Sequence, residues 1–239
     1  TEHKKVIEHV VKAASGDVPV IAGAGSNSTA EAIELSAYAK RIGADASLQV
    51  CPYYNKPTQD GFYQHFKAIA EDVDLPLVLY NIPGRCGGTG LTCRTIERLG
   101  KLDNVVAIKE ATGRLDMASE IAACSDITII SGDDSLTLPI GSVGGKGAIS
   151  VVANIVPADV KAMTDLILQG DFVQARKWHE KLFALSKGLL SLATNPIPIK
   201  AALAMLGMAS DELRLPMTAL GETEKVLLKQ ALEDYGLLG

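Results

Sequence analysis

Short apolar runs recur along the first 150 positions, beginning near Val18, Ala46, Pro76, Asn104, Asp126 and Gly147. The first four are spaced by about 29 residues, the length of a strand, a crossover helix and a return. Between them the apolar positions fall at helical spacing: 29–42 with Ala30, Ile33 and Ala37; 59–70 with Phe62, Phe66 and Ile69; then 92–99, 115–123 and 136–143. A charged amphipathic helix over 2–14 precedes the first strand. Strands that alternate strictly with helices predict a parallel sheet covered by those helices.

Beyond Ala153 the pattern changes to helices alone, over 157–168 with Pro157 in the first turn, 172–190, 198–206 and 218–235. The expected organisation is therefore a (β/α) barrel region over 1–169 and a C-terminal helical region over 170–239. No low-complexity linker separates them, so the appendage is expected to pack on the barrel wall. A closed TIM (β/α)8 barrel needs eight strands, and the pattern supplies six. The expectation is an α/β fold of TIM-barrel type truncated to six βα units, lacking the first two strands. An open doubly wound sheet would need no further strands, but the even spacing and the polar residues at all six strand ends favour the barrel.

Those carboxyl ends are where a parallel barrel builds its site. They read Gly23-Ala24-Gly25-Ser26-Asn27, Pro52-Tyr53-Tyr54-Asn55, Tyr80 to Arg85, Lys109-Glu110-Ala111-Thr112, Gly132-Asp133-Asp134 and Ser150 to Asn154. Alternation puts Val105, Ala107 and Lys109 on one face of the fourth strand, and Val78, Tyr80 and Ile82 on one face of the third. If both faces point inward, Lys109 and Tyr80 are neighbours. A lysine at the end of an apolar strand is costly to desolvate as a cation, which favours the free amine, a carbonyl nucleophile, and a tyrosine beside it can move protons. A lysine snorkelling to a salt bridge with Glu110 or Asp133 suits the same position, and position alone leaves both readings open. Arg85, in a Pro-Gly turn, can clamp a carboxylate bidentately or make a surface ion pair.

Other chemistry is poorly supported. Asp133 and Asp134 lack a histidine at a neighbouring strand end, since His3, His9, His65 and His179 all fall in helical segments, so no catalytic metal and no cofactor is expected. Ser28 stands where a dinucleotide fingerprint needs glycine, and Gly147 stands where a P-loop needs serine or threonine. The net charge of -5 gives no basic field for nucleic acid, and no apolar stretch approaches the roughly 20 residues of a membrane span. The 239 residues, 47% hydrophobic, suffice for one large core. Cys51, Cys86, Cys93 and Cys124 form no CxxC pair and are read as reduced, which places the chain in the cytoplasm, or in a plastid if a transit peptide precedes it.

Longer strings then become particular: PYYNKPTQDGFYQHF from Pro52, LYNIPGRCG from Leu79, IKEATG from Ile108, SGDD from Ser131, GAISVVAN from Gly147, NPIPIKAAL from Asn195 and LRLPMT from Leu213. The chain resembles the dihydrodipicolinate synthases, also called 4-hydroxy-tetrahydrodipicolinate synthases, among the pyruvate aldolases that include N-acetylneuraminate lyase. The resemblance spans essentially the whole chain, with the motifs in family order. It implies a lyase that condenses pyruvate with aspartate-4-semialdehyde on the route to diaminopimelate and lysine. It further implies that Lys109 forms the Schiff base, Tyr80 relays protons, Arg85 holds the semialdehyde carboxylate, and Tyr54 is lent to the neighbouring subunit's relay. Gly132 and Ile149 match backbone positions of the pyruvate pocket. His3, Asn27, Glu31 and Tyr53 match residues that hold the allosteric inhibitor lysine, and the implied assembly is a homotetramer built as a dimer of dimers.

The family's GTTGE segment, which supplies a threonine to the relay and amides to pyruvate's carboxylate, is expected ahead of Thr1, and Cys86 stands where threonine is usual. Arg85 favours the synthase over an N-acetylneuraminate lyase-like aldolase. A catalytically impaired, truncated paralogue is the remaining alternative.

Overall fold

The computed structural model describes residues 1–239. Six strands alternate with six α-helices, four further α-helices follow the last strand, and the sheet runs in chain order. The fold is α/β, and the chain divides into two compact units.

The first unit comprises residues 1–130 and 143–145. It holds α1 (Glu2–Ala14), β1 (Ile21–Gly23), α2 (Thr29–Arg41), β2 (Ala46–Val50), α3 (Gln59–Asp72), β3 (Leu77–Asn81), α4 (Cys93–Leu99), β4 (Val105–Glu110), α5 (Leu115–Cys124) and most of β5 (Thr128–Ser131). The pairs β1–β2, β2–β3 and β3–β4 are all parallel. Three helices start where a hydroxyl satisfies an orphan amide: Ser28 accepts from Glu31, Thr58 from Gly61 and Thr92 from Thr95. In α3 the residues at helical spacing, Phe62, Phe66 and Ile69, are fully buried, as are Leu77, Leu79 and Ile108 on the strands. Each such side chain contributes roughly 1.5–3 kcal/mol of transfer free energy. On the other face of the sheet Ala46, Val78 and Ala107 form a separate small cluster with Leu48 and Ile130.

One strand departs from strict alternation. Leu77 pairs with Val105, but Val78 pairs with Ala107, so Val106 is an extra residue and is left exposed. Val105 therefore does not share a face with Ala107 and Lys109, which restart the alternation beyond the bulge. A second expectation also fails: Cys93 and Cys124 form a disulfide rather than remaining reduced. They lie 31 residues apart in sequence, but they open α4 and close α5, which brings their Cα atoms to 6.7 Å, within bridging reach. Cys51 and Cys86 are free and buried, and burial pushes both thiols up.

The second unit, residues 131–142 and 146–239, holds β6 (Gly147–Ala148), α6 (Thr137–Ser142), α7 (Pro157–Leu168), α8 (Phe172–Leu190), α9 (Ile197–Met205) and α10 (Glu222–Tyr235). Its core is built from Met163 of α7, Leu182, Leu185 and Leu189 of α8, Ala202 of α9, and Leu228 and Leu232 of α10. A Cβ on Gly188 would come within 2.7 Å of the Ala231 Cβ, so α8 and α10 approach as closely as they do only with glycine there. No helix is long and apolar enough to cross a membrane.

Candidate active site

The end of β3 and the end of β4 are in direct register, Tyr80 opposite Lys109 and Asn81 opposite Glu110. Alternation continues the face of Val78 through Tyr80 and that of Ala107 through Lys109, beyond the small buried cluster those residues form. The Lys109 Nζ stands 3.9 Å from the centre of the Tyr80 ring. Both side chains are half-buried, neither sealed in the core nor free in solvent. The neighbouring strand is tied to the same point, since the Cys51 amide donates to the Tyr80 carbonyl at 3.0 Å. A primary amine and a phenol so placed can perform carbonyl chemistry, the amine by addition and the phenol by proton transfer.

The opposite face carries a second pair that sequence reasoning missed as a unit. Asn81 and Glu110 are buried, at 0% and 1% exposure. The Asn81 Nδ2 donates to Glu110 Oε2 at 3.2 Å, the Thr112 amide donates to Glu110 Oε1 at 2.7 Å, and the Leu91 amide donates to Asn81 Oδ1 at 3.0 Å. The available signal was that a polar residue follows each of Tyr80 and Lys109 and so must face the covered side of the sheet.

Arg85 closes a 3-10 turn over Pro83–Arg85 and is exposed. Tyr54 projects at 89% exposure from the loop after β2, with φ at 71°. A left-handed conformation at a bulky residue is unfavourable by about 1–2 kcal/mol, and cross-ties hold it. The Asn27 side chain donates to the Tyr53 carbonyl at 3.2 Å, and the Asn55 side chain donates back to the Asn27 carbonyl at 2.9 Å.

His3 and Glu31 line one cleft of about 220 Å³ together with Lys4 and Glu34. There His3 Nε2 donates to the Gly23 carbonyl at 2.7 Å and Ser26 donates to Glu31 at 2.7 Å. Asn27 and Tyr53 meet each other but do not line that cleft.

Gly132 and Ile149 belong to the second unit, where the Ile149 amide donates to the Ser131 carbonyl at 2.9 Å. There the carboxylate of Asp134 accepts from the Ser150 hydroxyl and from the Val151 amide, the latter at 2.9 Å, which fixes the turn after β6. This role of Asp134 in fixing the loop has no signal in the sequence beyond its place at a strand end. No group of three or more His, Cys, Asp or Glu side chains is arranged to hold a metal ion.

Parallel strands that end in a lysine amine against a phenol suit the class of enzymes that act on carbonyl compounds through a lysine side chain. Within that class the model of the dihydrodipicolinate synthetase family matches residues 1–235, and the chain belongs to that family. It is 50% identical over 239 residues to a 4-hydroxy-tetrahydrodipicolinate synthase of Pelobacter propionicus, covering 99% of this chain and 82% of that protein. To the synthase of Methanocaldococcus jannaschii it is 51% identical over 238 residues, with the same coverage.

Two solved structures are similar to it. One is a chloride-inhibited dihydrodipicolinate synthase from Acinetobacter baumannii complexed with pyruvate, at 43% identity and a TM-score of 0.96, covering 99% of this chain and 81% of that one. The other is DHDPS from Cyanidioschyzon merolae with lysine bound, at 41% identity and a TM-score of 0.94, with the same coverage.

Proposed function

We propose that this chain is a Schiff-base-forming lyase that condenses pyruvate with aspartate-4-semialdehyde to 4-hydroxy-tetrahydrodipicolinate, and that its six βα units are those of a TIM-type barrel. The observation that carries the reading is the register match of Tyr80 and Lys109, with the amine 3.9 Å from the ring centre. Family membership and relatives near 50% identity that carry this name support the same reaction.

In this reading the Lys109 amine adds to the pyruvate ketone, and the resulting carbinolamine loses water to give the imine. Loss of a methyl proton then forms the enamine, whose carbon attacks the aldehyde, and the aldehyde oxygen takes up a proton; the acceptor's own amino group then adds to the regenerated imine carbon, closing the ring and expelling the Lys109 amine. Each step moves a proton at or next to the amine, and the Tyr80 hydroxyl carries it in this reading. Arg85 meets the carboxylate of the semialdehyde. Tyr54, exposed and held by its loop, reaches a neighbouring subunit of a dimer that pairs into a tetramer. Lysine binds as an inhibitor where His3 and Glu31 share a cleft, with Asn27 and Tyr53 completing its site; a pyruvate complex and a lysine complex among similar structures favour both ligands.

The test is the condensation rate with each of two aldehydes. Turnover of pyruvate with aspartate-4-semialdehyde, and a far slower rate with N-acetylmannosamine, is expected. The reverse preference would move the chain to the sialic acid lyase group.

A further inference from the structure

The buried pair behind the site has a consequence for the loop that bears Arg85. That loop, residues 82–90, leaves β3 after Asn81 and returns at Leu91, whose amide donates to the Asn81 Oδ1 at 3.0 Å. Asn81 therefore closes the loop at its neck with its own side chain. The amide orientation is fixed by chemistry, because a backbone N–H demands the oxygen, leaving Nδ2 to donate to Glu110 Oε2. Glu110 is fixed in turn by the Thr112 amide at 2.7 Å. Asn81, Glu110 and Leu91 are at most 3% exposed, so water cannot replace a lost bond. Gly90 is also required: a Cβ there would lie 2.6 Å from Asn81 Oδ1 and 2.7 Å from Pro83 Cγ.

We propose that Asn81 and Glu110 are positioning residues for the acceptor aldehyde: together they hold the neck of the 82–90 loop, and through it Arg85, at a set place relative to Lys109. This rests on the reading of Arg85 as the acceptor's carboxylate clamp.

The donor order supplies the test. Glu110→Gln sets an N–H donor against the Asn81 N–H, and Asn81→Asp sets a carboxylate against a carboxylate. Combined, the glutamine donates to one aspartate oxygen while the other accepts from Leu91, so the bond between the two side chains and the bond to Leu91 are both restored at unchanged net charge. Gly90→Ala displaces the Asn81 amide without touching charge and serves if a single variant fails to fold.

Each single change is expected to raise KM for the aldehyde about tenfold or more while borohydride trapping of pyruvate at Lys109 stays within about twofold, and the double variant is expected to recover most of the loss. Hydrogen exchange at the Leu91 amide rises in the single variants and returns to the original rate in the double. An unchanged aldehyde KM, a double variant no better than the worse single, or equal loss of pyruvate trapping would overturn the proposal. If the unmodified chain traps no pyruvate, the catalytic reading fails instead, and the exchange data still judge the neck.

Discussion

His65 makes the stability of the first unit depend on pH in a defined window. It lies on α3 at 6% exposure, with Nδ1 2.8 Å from the Thr29 hydroxyl, the first residue of α2, and with no partner for Nε2. Burial pushes its imidazolium down to about 4, against about 6.5 in an unfolded chain. Between those values the unfolded chain binds a proton that the folded one refuses, so acid favours unfolding. The stabilising contribution is complete above about pH 6.5, falls as pH drops, and is gone below about pH 4; at 1.36 kcal/mol per unit it amounts to roughly 3 kcal/mol.

The assay is urea unfolding at several values between about pH 7 and pH 4 for the unmodified chain and for His65→Asn, which keeps a polar atom near Thr29. Carboxylate titration is common to both and cancels in the difference. The unmodified chain is expected to lose stability more steeply, by up to about 1.4 kcal/mol per pH unit. Parallel curves would refute the assignment of a buried neutral imidazole.

Two other substitutions probe chemistry and packing separately. Tyr80→Phe keeps the ring beside the Lys109 amine but removes the hydroxyl, and is expected to lower kcat by about 100-fold or more while pyruvate is still trapped at Lys109 by borohydride; unchanged turnover would remove Tyr80 from proton transfer. Phe62→Ala, at a fully buried position of α3, is expected to cost about 3–5 kcal/mol in urea unfolding at neutral pH, and a loss below about 1 kcal/mol would show that the site collapses or was never packed.

The period near 29 residues was legible because a crossover unit must bury one helix stripe on each strand, and α1, α7 and α8 occupy the residues their patterns marked. The strand-end lysine and tyrosine were legible for the same reason, since alternation and parallel order leave them few other places to point. What escaped depended on the third dimension. The bulge at Val106 came from pairing register, which single-strand alternation cannot reveal. The Cys93–Cys124 bond joins the ends of two helices that flank a single strand in the chain, β4. The helix expected over 218–235 starts only at Glu222, after Gly221 at its N-cap, because Leu220 is buried in the core rather than on the helix. The tie of Glu110 to the Asn81 side chain and the Thr112 amide also lay beyond a single strand, because it joins β3, β4 and the loop after β4.

The central claim is that the Lys109 amine captures a ketoacid. Incubating the full chain with pyruvate and borohydride, followed by peptide mass analysis, tests it most directly. The account requires one reduced pyruvyl adduct, located on Lys109 and absent from Lys109→Ala. An adduct on a different lysine, or none on the unmodified chain, would contradict it.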